Sequence, residues 1–404
     1  MSKSKEIKPR YFASDPRFGY IPLQDQYLFK PNEPLYKFNV IGTGVNGTEH
    51  IHVTYMEGRG RIHGVYDPNP GSVAIAQTAS EMFLPDYKLK VYETLEAACS
   101  DPAVDGLIIS TPNFTHLDVL RVAAKSGKHI LLEKPMATTI SDAYEIMKIA
   151  KGYPAVFQIG LQYRYKAMYY EAIQEALIRN TIGTIKMINI VEHRIPFLDK
   201  VNQWNKFSKY SGGTLVEKCC HYFDLLNMFA QSKAVSVFAT GSQAVNFAEF
   251  EHNGEKSDIV DNAFVSIDYA NGVKAGFNLC MFVPGFYEEI VLCGDEGKLK
   301  AYEEETFLPT NRPSTYMEIL CGEGKPSRII NPCYPTIIEE SGHHGSTFYE
   351  HINFIDNIEG KPKQTATVED GFWSVVVGAA AEESMKRGKS VVIDEFLKAS
   401  NIPL

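Results

Sequence analysis

A glycine triplet in a fixed place narrows the fold more than any other feature. Lys37-Phe38-Asn39-Val40-Ile41 is a short β-rich run, and Gly42-Thr43-Gly44-Val45-Asn46-Gly47 follows it directly. Thr48 to Met56 can continue as a helix, Arg61 to Tyr66 reads as a second strand, and Asp67 stands at its end. Gly-x-Gly-x-x-Gly alone is a weak signal. A strand, glycine loop, helix, second strand and an acid about 20 residues further on together form the opening of a dinucleotide-binding βαβ unit. Gly42 permits the tight turn, Gly44 lets a pyrophosphate approach the backbone, and Gly47 lets the helix pack close to the strand. Val45 and Asn46 begin the helix whose unpaired N–H groups face the phosphates. Asp67 is placed to accept hydrogen bonds from both hydroxyls of the adenosine ribose. Its charge would repel the phosphate of NADP, and Pro68-Asn69-Pro70 offers no arginine to hold one. NAD is therefore favoured over NADP.

Alternation continues beyond this unit. Gly106 to Ser110 and His129 to Leu132 are continuous apolar runs, as expected of strands buried on both faces. Leu117 to Ser126 and Ser141 to Lys151 read as helices, and Ala155 to Ile159 closes the series. The pattern implies a doubly wound parallel sheet. After about residue 160 the β-rich runs are Met187–Ile195, Ala234–Ala239, Ala263–Tyr269, Val273–Phe282, Glu289–Cys293 and Lys298–Glu303. Asn271-Gly272 between two of them signals a hairpin, and Asp295-Glu296-Gly297 separates another pair. A last helix spans Asp370 to Lys386. The expected fold is an α/β Rossmann domain over 36–158, then an α+β domain over 159–404 with a mostly antiparallel open sheet. The last helix is free to pack back on the first domain. Residues 1–35 carry five prolines and six aromatics and form an irregular N-terminal arm, lying on its own domain or reaching across a subunit interface.

Composition removes several classes. With 40 Lys+Arg against 49 Asp+Glu, the net charge of −9 is a poor match for nucleic acid or an anionic membrane. Seven scattered cysteines exclude a disulfide scaffold, and no Cys-x-x-Cys pattern exists, so no metal site is expected. No apolar run is long enough to span a bilayer and Met1 to Pro16 is polar, so a cytoplasmic protein is the expectation.

Three further segments carry chemistry. Thr111, Pro112, Asn113 and His116 follow the Gly106 strand at its carboxyl end, where open α/β sheets place ligands. His116 either touches a ligand or makes a structural hydrogen bond at a helix start. Glu133-Lys134-Pro135 ends the next strand, and Lys134 is a candidate for binding the nicotinamide ribose and a sugar hydroxyl. Pro135 keeps Lys134 extended and is a candidate cis proline. In Gly212 to Asp224, Glu217 and His221 stand four apart on one helix face, with Lys218 and Asp224 three residues either side of His221. Acid, imidazole and ammonium on one patch suit acid–base chemistry. Cys219 and Cys220 read as small buried residues.

This order of motifs resembles the Gfo/Idh/MocA family of sugar and inositol oxidoreductases, over residues 36 to 404. Glu133-Lys134-Pro135 matches that family's Glu-Lys-Pro signature, and Glu217 and His221 occupy its Asp-x-x-x-His positions. Gln162-Tyr163-Arg164 and Val368-Glu369-Asp370-Gly371 add to the likeness. The chain departs from the family with Glu217 for the usual Asp, Cys219 for the usual Gly, and a charge at Lys218. Glu-Lys-Cys-Cys-His is similar to a subgroup that includes glycoside 3-dehydrogenases and oxidases. The resemblance implies a homo-oligomer and oxidation of a secondary alcohol on a sugar, glycoside or cyclitol. His221 would be the general base, Lys134 would steady the reacting oxygen, and Glu217 would position a hydroxyl or His221. Arg164, Trp204, Lys218, His343 and His344 would wall the substrate. A metal half-site at His343-His344 lacks a third ligand in sequence. NAD-assisted glycoside cleavage and a non-catalytic dinucleotide-sensing regulator remain as other readings.

Overall fold

The computed structural model describes residues 34–305, 314–361 and 365–403, so the proposed arm lies outside the described residues except for Pro34 and Leu35. Strands β1 (Tyr36–Ile41), β2 (Gly60–Tyr66), β3 (Lys90–Val91), β4 (Gly106–Ile109), β5 (His129–Glu133) and β6 (Phe157–Gly160) form one six-stranded sheet. All neighbours in it are parallel and the order is β3-β2-β1-β4-β5-β6. Val40, Ile41, Leu107, Ile108 and Ile130 to Leu132 are fully buried, because helices cover both faces and leave no position for a polar alternation. Those helices are α1 (Val45–Glu57), α2 (Pro70–Glu81), α3 (Leu95–Ser100), α4 (His116–Ala123) and α5 (Ile140–Ala150). The winding reverses between β1 and β4, so their carboxyl ends open the crevice where such sheets take ligands.

The second sheet is built from β7 (Ile185–His193), β8 (Ala234–Ser242), β11 (Asn262–Tyr269), β12 (Lys274–Cys280), β13 (Phe286–Gly294), β14 (Lys298–Glu305), β15 (Ser314–Leu320), β16 (Arg328–Ile330) and β17 (Val391–Val392). A small hairpin, β9 (Glu251–His252) with β10 (Glu255–Lys256), stands apart. The order is β16-β15-β14-β13-β7-β12-β11-β8-β17, antiparallel except where β7 meets β12. The helices here are α6 (Ala167–Ile173), α7 (Ser208–Ser211), α8 (Thr214–Glu217), α9 (Cys220–Ala230), α10 (Thr336–Glu339), α11 (Ser346–Ile358), α12 (Val368–Arg387) and α13 (Ile393–Ala399). One sheet face lies under α9 and α12.

Two helices join the units. A Thr367–Asp370 capping box starts α12 and Gly388 ends it in a left-handed conformation. A Cβ at Gly371 would come within 2.8 Å of Met136 Sδ, and one at Gly378 within 2.8 Å of Leu215 O. Bare backbone therefore lets α12 press on both units at once. The second helix, α11, lies on α1: Phe354 and Ile355 share a buried cluster with Val40, Ile51 and Val65, and the Phe38 and Phe354 rings are 5.8 Å apart.

Candidate active site

The glycine loop separates by what each glycine is for. Gly42 has φ +87, and a Cβ there would lie 2.7 Å from Thr111 N. At Gly47 a Cβ would lie 2.2 Å from Gly42 O, so helix and loop touch through bare backbone. At Gly44 a Cβ would meet none of the described residues within 4 Å. Two glycines serve the protein's own packing and the third faces open space at the N-terminus of α1, which fits a pyrophosphate there. Asp67 Oδ2 accepts from Thr43 N at 2.8 Å and Oδ1 from Asn69 N at 2.8 Å. A carboxylate offers about four lone-pair sites, so capacity remains for ribose hydroxyls. Asn113 is buried and its Nδ2 has no hydrogen-bond partner among the described residues, as expected of a donor kept for a ligand. Thr111 and Pro112 stand beside it at the start of the turn Asn113–Thr115. Of the two readings of His116, the structure carries the structural hydrogen bond and not the ligand contact: it is fully buried, and its ring nitrogens lie 3.0 Å from Pro135 O and 3.1 Å from Thr111 O, donating to one of them. It fastens the two ligand-facing loops to each other and has no nitrogen left for a cofactor.

Lys134 and Glu217 form the charged part of the site, and His221 the neutral part. The Lys134–Pro135 peptide is cis. Burial pulls the Lys134 ammonium down, but Glu217 and Glu133 outweigh it and hold its pKa above the usual lysine value. Burial would raise the Glu217 carboxyl, but Lys200, Lys134, Lys218 and Arg194 keep it ionised with a lowered pKa. For His221, burial and then the Lys134 and Lys218 charges act together and push the imidazole well below its ordinary value. His221 stays a free base throughout the neutral range, and the two neighbouring titratable groups are driven to opposite protonation states. His221 is 1% exposed, stacks on Tyr163 at 4.0 Å and 9°, and has no hydrogen-bond partner on either ring nitrogen among the described residues. The expected single helix is two, α8 and α9, joined through Lys218 and Cys219.

Tyr163, not Arg164, faces this site. Arg164 is buried against Asp224 in a bidentate pair at 2.5 and 2.6 Å and reaches Asp370 at 3.2 Å. Its guanidinium is committed to the protein interior, so the expected substrate contact is corrected, and Asp224 leaves the catalytic patch with it. Consecutive residues of the tight turn Gln162–Tyr165 point to different sides, a parity that the motif alone does not give. Lys218 donates to Tyr163 Oη at 2.7 Å and contacts Glu192 at 3.2 Å, so two of its three donors are spent within the protein.

The floor is a row of carboxylates found only in three dimensions. Glu192 on β7, Glu288 on β13 and Glu303 on β14 are register neighbours. Like charges side by side are destabilising unless paired. Lys166 Nζ lies 3.0 Å from Glu288 and 2.7 Å from Glu303, and Lys218 covers Glu192. His343 meets Glu49 at 2.8 Å, with its ring 6.3 Å from that of Tyr163, and His344 meets Glu303 at 2.7 Å. The pair thus splits between two acids. Trp204 is nearly buried, edge-on to Phe114 of the first domain at 6.1 Å. Lys200, unmarked in the sequence, sits 4.8 Å from the Trp204 ring and 3.4 Å from Glu217.

A family model described as the oxidoreductase family's NAD-binding Rossmann fold matches residues 36–161, and its C-terminal alpha/beta domain matches 174–393. The chain belongs to the Gfo/Idh/MocA oxidoreductase family. The scyllo-inositol 2-dehydrogenase (NAD(+)) of Bacillus subtilis is 25% identical over 358 residues, 88% of this chain and 95% of that protein. The myo-inositol 2-dehydrogenase of Thermotoga maritima is 24% identical over 317 residues, 76% of this chain and 85% of that one. A levoglucosan dehydrogenase solved with NADH shares the fold at TM-score 0.72 and 17% identity, covering 89% of this chain and 99% of its own. No helix among the described residues is long and apolar enough to cross a membrane.

Proposed function

We propose that this family member oxidises a secondary hydroxyl of a sugar, glycoside or cyclitol to a ketone, with NAD rather than NADP as its partner. NAD, when bound, supplies the hydride acceptor. Lys134, held charged, donates to the reacting oxygen and steadies the negative charge that develops there. His221, held neutral, takes the hydroxyl proton on a ring nitrogen. Glu217, held ionised, accepts from a neighbouring hydroxyl and fixes the ring's orientation. Tyr163 provides the flat backing for His221, and Trp204 and His343 form walls.

The observation that carries this reading is His221: a buried imidazole with both nitrogens unpartnered among the described residues, beside an ammonium contributed by the other domain. The finer reading is the C3 hydroxyl of a glycoside. Product mass analysis over glucosides, free hexoses and inositols tests it, and bond cleavage without net NADH would favour the elimination route instead. His221→Ala and Lys134→Ala should each slow single-turnover NADH formation by about 10²-fold or more. Both variants should still bind NAD, as followed by fluorescence, with Lys134→Ala weakened by no more than its one ribose contact. Near wild-type turnover in both would overturn the mechanism. All seven cysteines are free thiols, which suits a reducing cytoplasmic setting.

A further inference from the structure

Around Glu133 the protein buries more acid than its own hydrogen bonds use. His50 of α1, Glu133 of β5 and Glu350 of α11 are 1%, 3% and 0% exposed. One ligand atom from each lies within 4.8 Å of the others. Among the described residues Glu350 has no hydrogen-bond partner on either oxygen, and the charges that reach it, after burial itself, are Glu133 and Glu49, both of its own sign.

The hydrogen-bond chain fixes which nitrogen of His50 is bare. Thr54 Oγ1 spends its one hydrogen on His50 O at 2.7 Å, so towards His351 Nδ1, 3.3 Å away, it can only accept. His351 is therefore protonated at Nδ1. In an imidazole protonated at Nδ1 alone, Nε2 is the acceptor. His50 Nδ1–H donates to that atom at 2.8 Å. With that hydrogen on Nδ1, His50 turns Nε2 towards Glu133 Oε1, only 3.0 Å away. Two lone pairs at that separation repel unless a positive centre lies with them.

We propose that His50 Nε2, Glu133 Oε1 and a carboxylate oxygen of Glu350 form a site for one divalent transition-metal ion. Two ligands about 2.1 Å from a common ion at roughly a right angle stand about 3 Å apart, which is the His50–Glu133 separation. A metal-bound histidine ordinarily donates its other N–H to a fixed acceptor, and His351 is that acceptor. Glu133 keeps Oε2 for Lys134 N at 3.2 Å and Asn46 Nδ2 at 3.4 Å, so one oxygen is free for an ion while the other holds the cofactor loops. One imidazole with two carboxylates suits zinc or manganese and is a poor set for magnesium or calcium. The ion would pin α1, β5 and α11 together. It takes no part in the proposed hydride transfer and does not rest on that reading. The three residues are spread over three hundred positions with no local spacing, which is why the sequence gives no sign of them.

The full chain, produced in medium supplemented with zinc and manganese and then freed of loose metal by gel filtration, should carry about one ion per chain by mass spectrometry. Glu350→Gln keeps the shape and removes a charge, and should carry under about a tenth of that. Protein grown with cobalt should show the visible absorption of a low-symmetry Co²⁺ site, altered by Glu350→Asp. Metal-free wild-type protein from every medium would overturn the proposal and leave a shared proton as the positive centre. Equal metal content in wild type and Glu350→Gln would overturn it as well. If Glu350→Gln does not fold, the wild-type metal count and the cobalt spectrum still decide.

Discussion

Asp67 serves two purposes with one carboxylate. It accepts from Thr43 N and so fastens the glycine loop, while its remaining lone pairs face the proposed ribose position. Asp67→Ala therefore removes a ribose acceptor and unfastens the loop, and NAD affinity should fall by roughly 10- to 150-fold, the size of a lost charged hydrogen bond. Asp67→Asn keeps one carbonyl acceptor for Thr43 N and should lose less. The preference for NAD over NADP should narrow in both. Titration of both dinucleotides against the three proteins checks this, and undiminished NAD affinity in Asp67→Ala would place the ribose elsewhere. At this scale the sequence was readable where function is local. The glycine loop, Asp67, Glu133-Lys134 and Glu217/His221 each declare themselves within a few residues. Arg164, Asp224 and His116 misled because each is a polar residue beside the site whose partners lie in the interior. Tyr163 was given no role, and Lys200 and the three-glutamate floor went unnamed, because their meaning depends on strands and loops far away in sequence.

Element by element, the glycine loop permits a separation of folding from binding. Gly44→Ala places a methyl group in open space at an ordinary backbone conformation (φ −67, ψ −161), so the melting temperature should barely move while dinucleotide binding collapses. Gly47→Ala drives a methyl group onto Gly42 O and should cost roughly 1–3 kcal/mol of stability before any ligand is added. Thermal melts paired with NAD titration distinguish the two. Strongly patterned elements such as α1, β4, β5 and the Asn271-Gly272 hairpin were legible in the sequence. In contrast α11, β15 and β16 were not, since their partners rather than their own periodicity make them. A second test lies at α12, where Glu382 accepts from Leu215 N at 2.9 Å and burial pushes its carboxyl up to about 7. Its folded pKa exceeds the ordinary 4.5, so its contribution to stability is full below about pH 4.5 and is lost as pH rises through about 7. Glu382→Gln retains the acceptor without the titration. It should gain roughly 1–3 kcal/mol over wild type at pH 8 and nothing near pH 4.5, as read from denaturant melts across that range.

For the whole molecule, the outer face of the nine-stranded sheet is the open question the fold itself poses. It bears Phe238, Phe264 and Met187, exposed at 43%, 69% and 57%, beside the stacked rings of Tyr287, Tyr302 and Tyr316. An apolar face of this kind is ordinarily covered by a partner. We therefore expect a homo-oligomer, with Phe264→Lys shifting it towards a smaller species. Light scattering at micromolar concentration checks both, and a monomeric wild type would remove the expectation.

The way α11 and α12 close over the first sheet bears on how the chain is made. Val40, Ile51 and Val65 emerge from the ribosome early, yet the Phe354 and Ile355 that cover them are made nearly two hundred residues after β6 is complete. The edge of β6 waits likewise, since Ile159 N bonds to Ala366 O. At about 5–20 residues per second, the nascent dinucleotide unit stays half-covered for roughly 10–40 seconds. A chain truncated after β6 should therefore be sticky and short-lived rather than a free-standing domain, and during translation this protein is a client for whatever shields apolar surface at the tunnel exit.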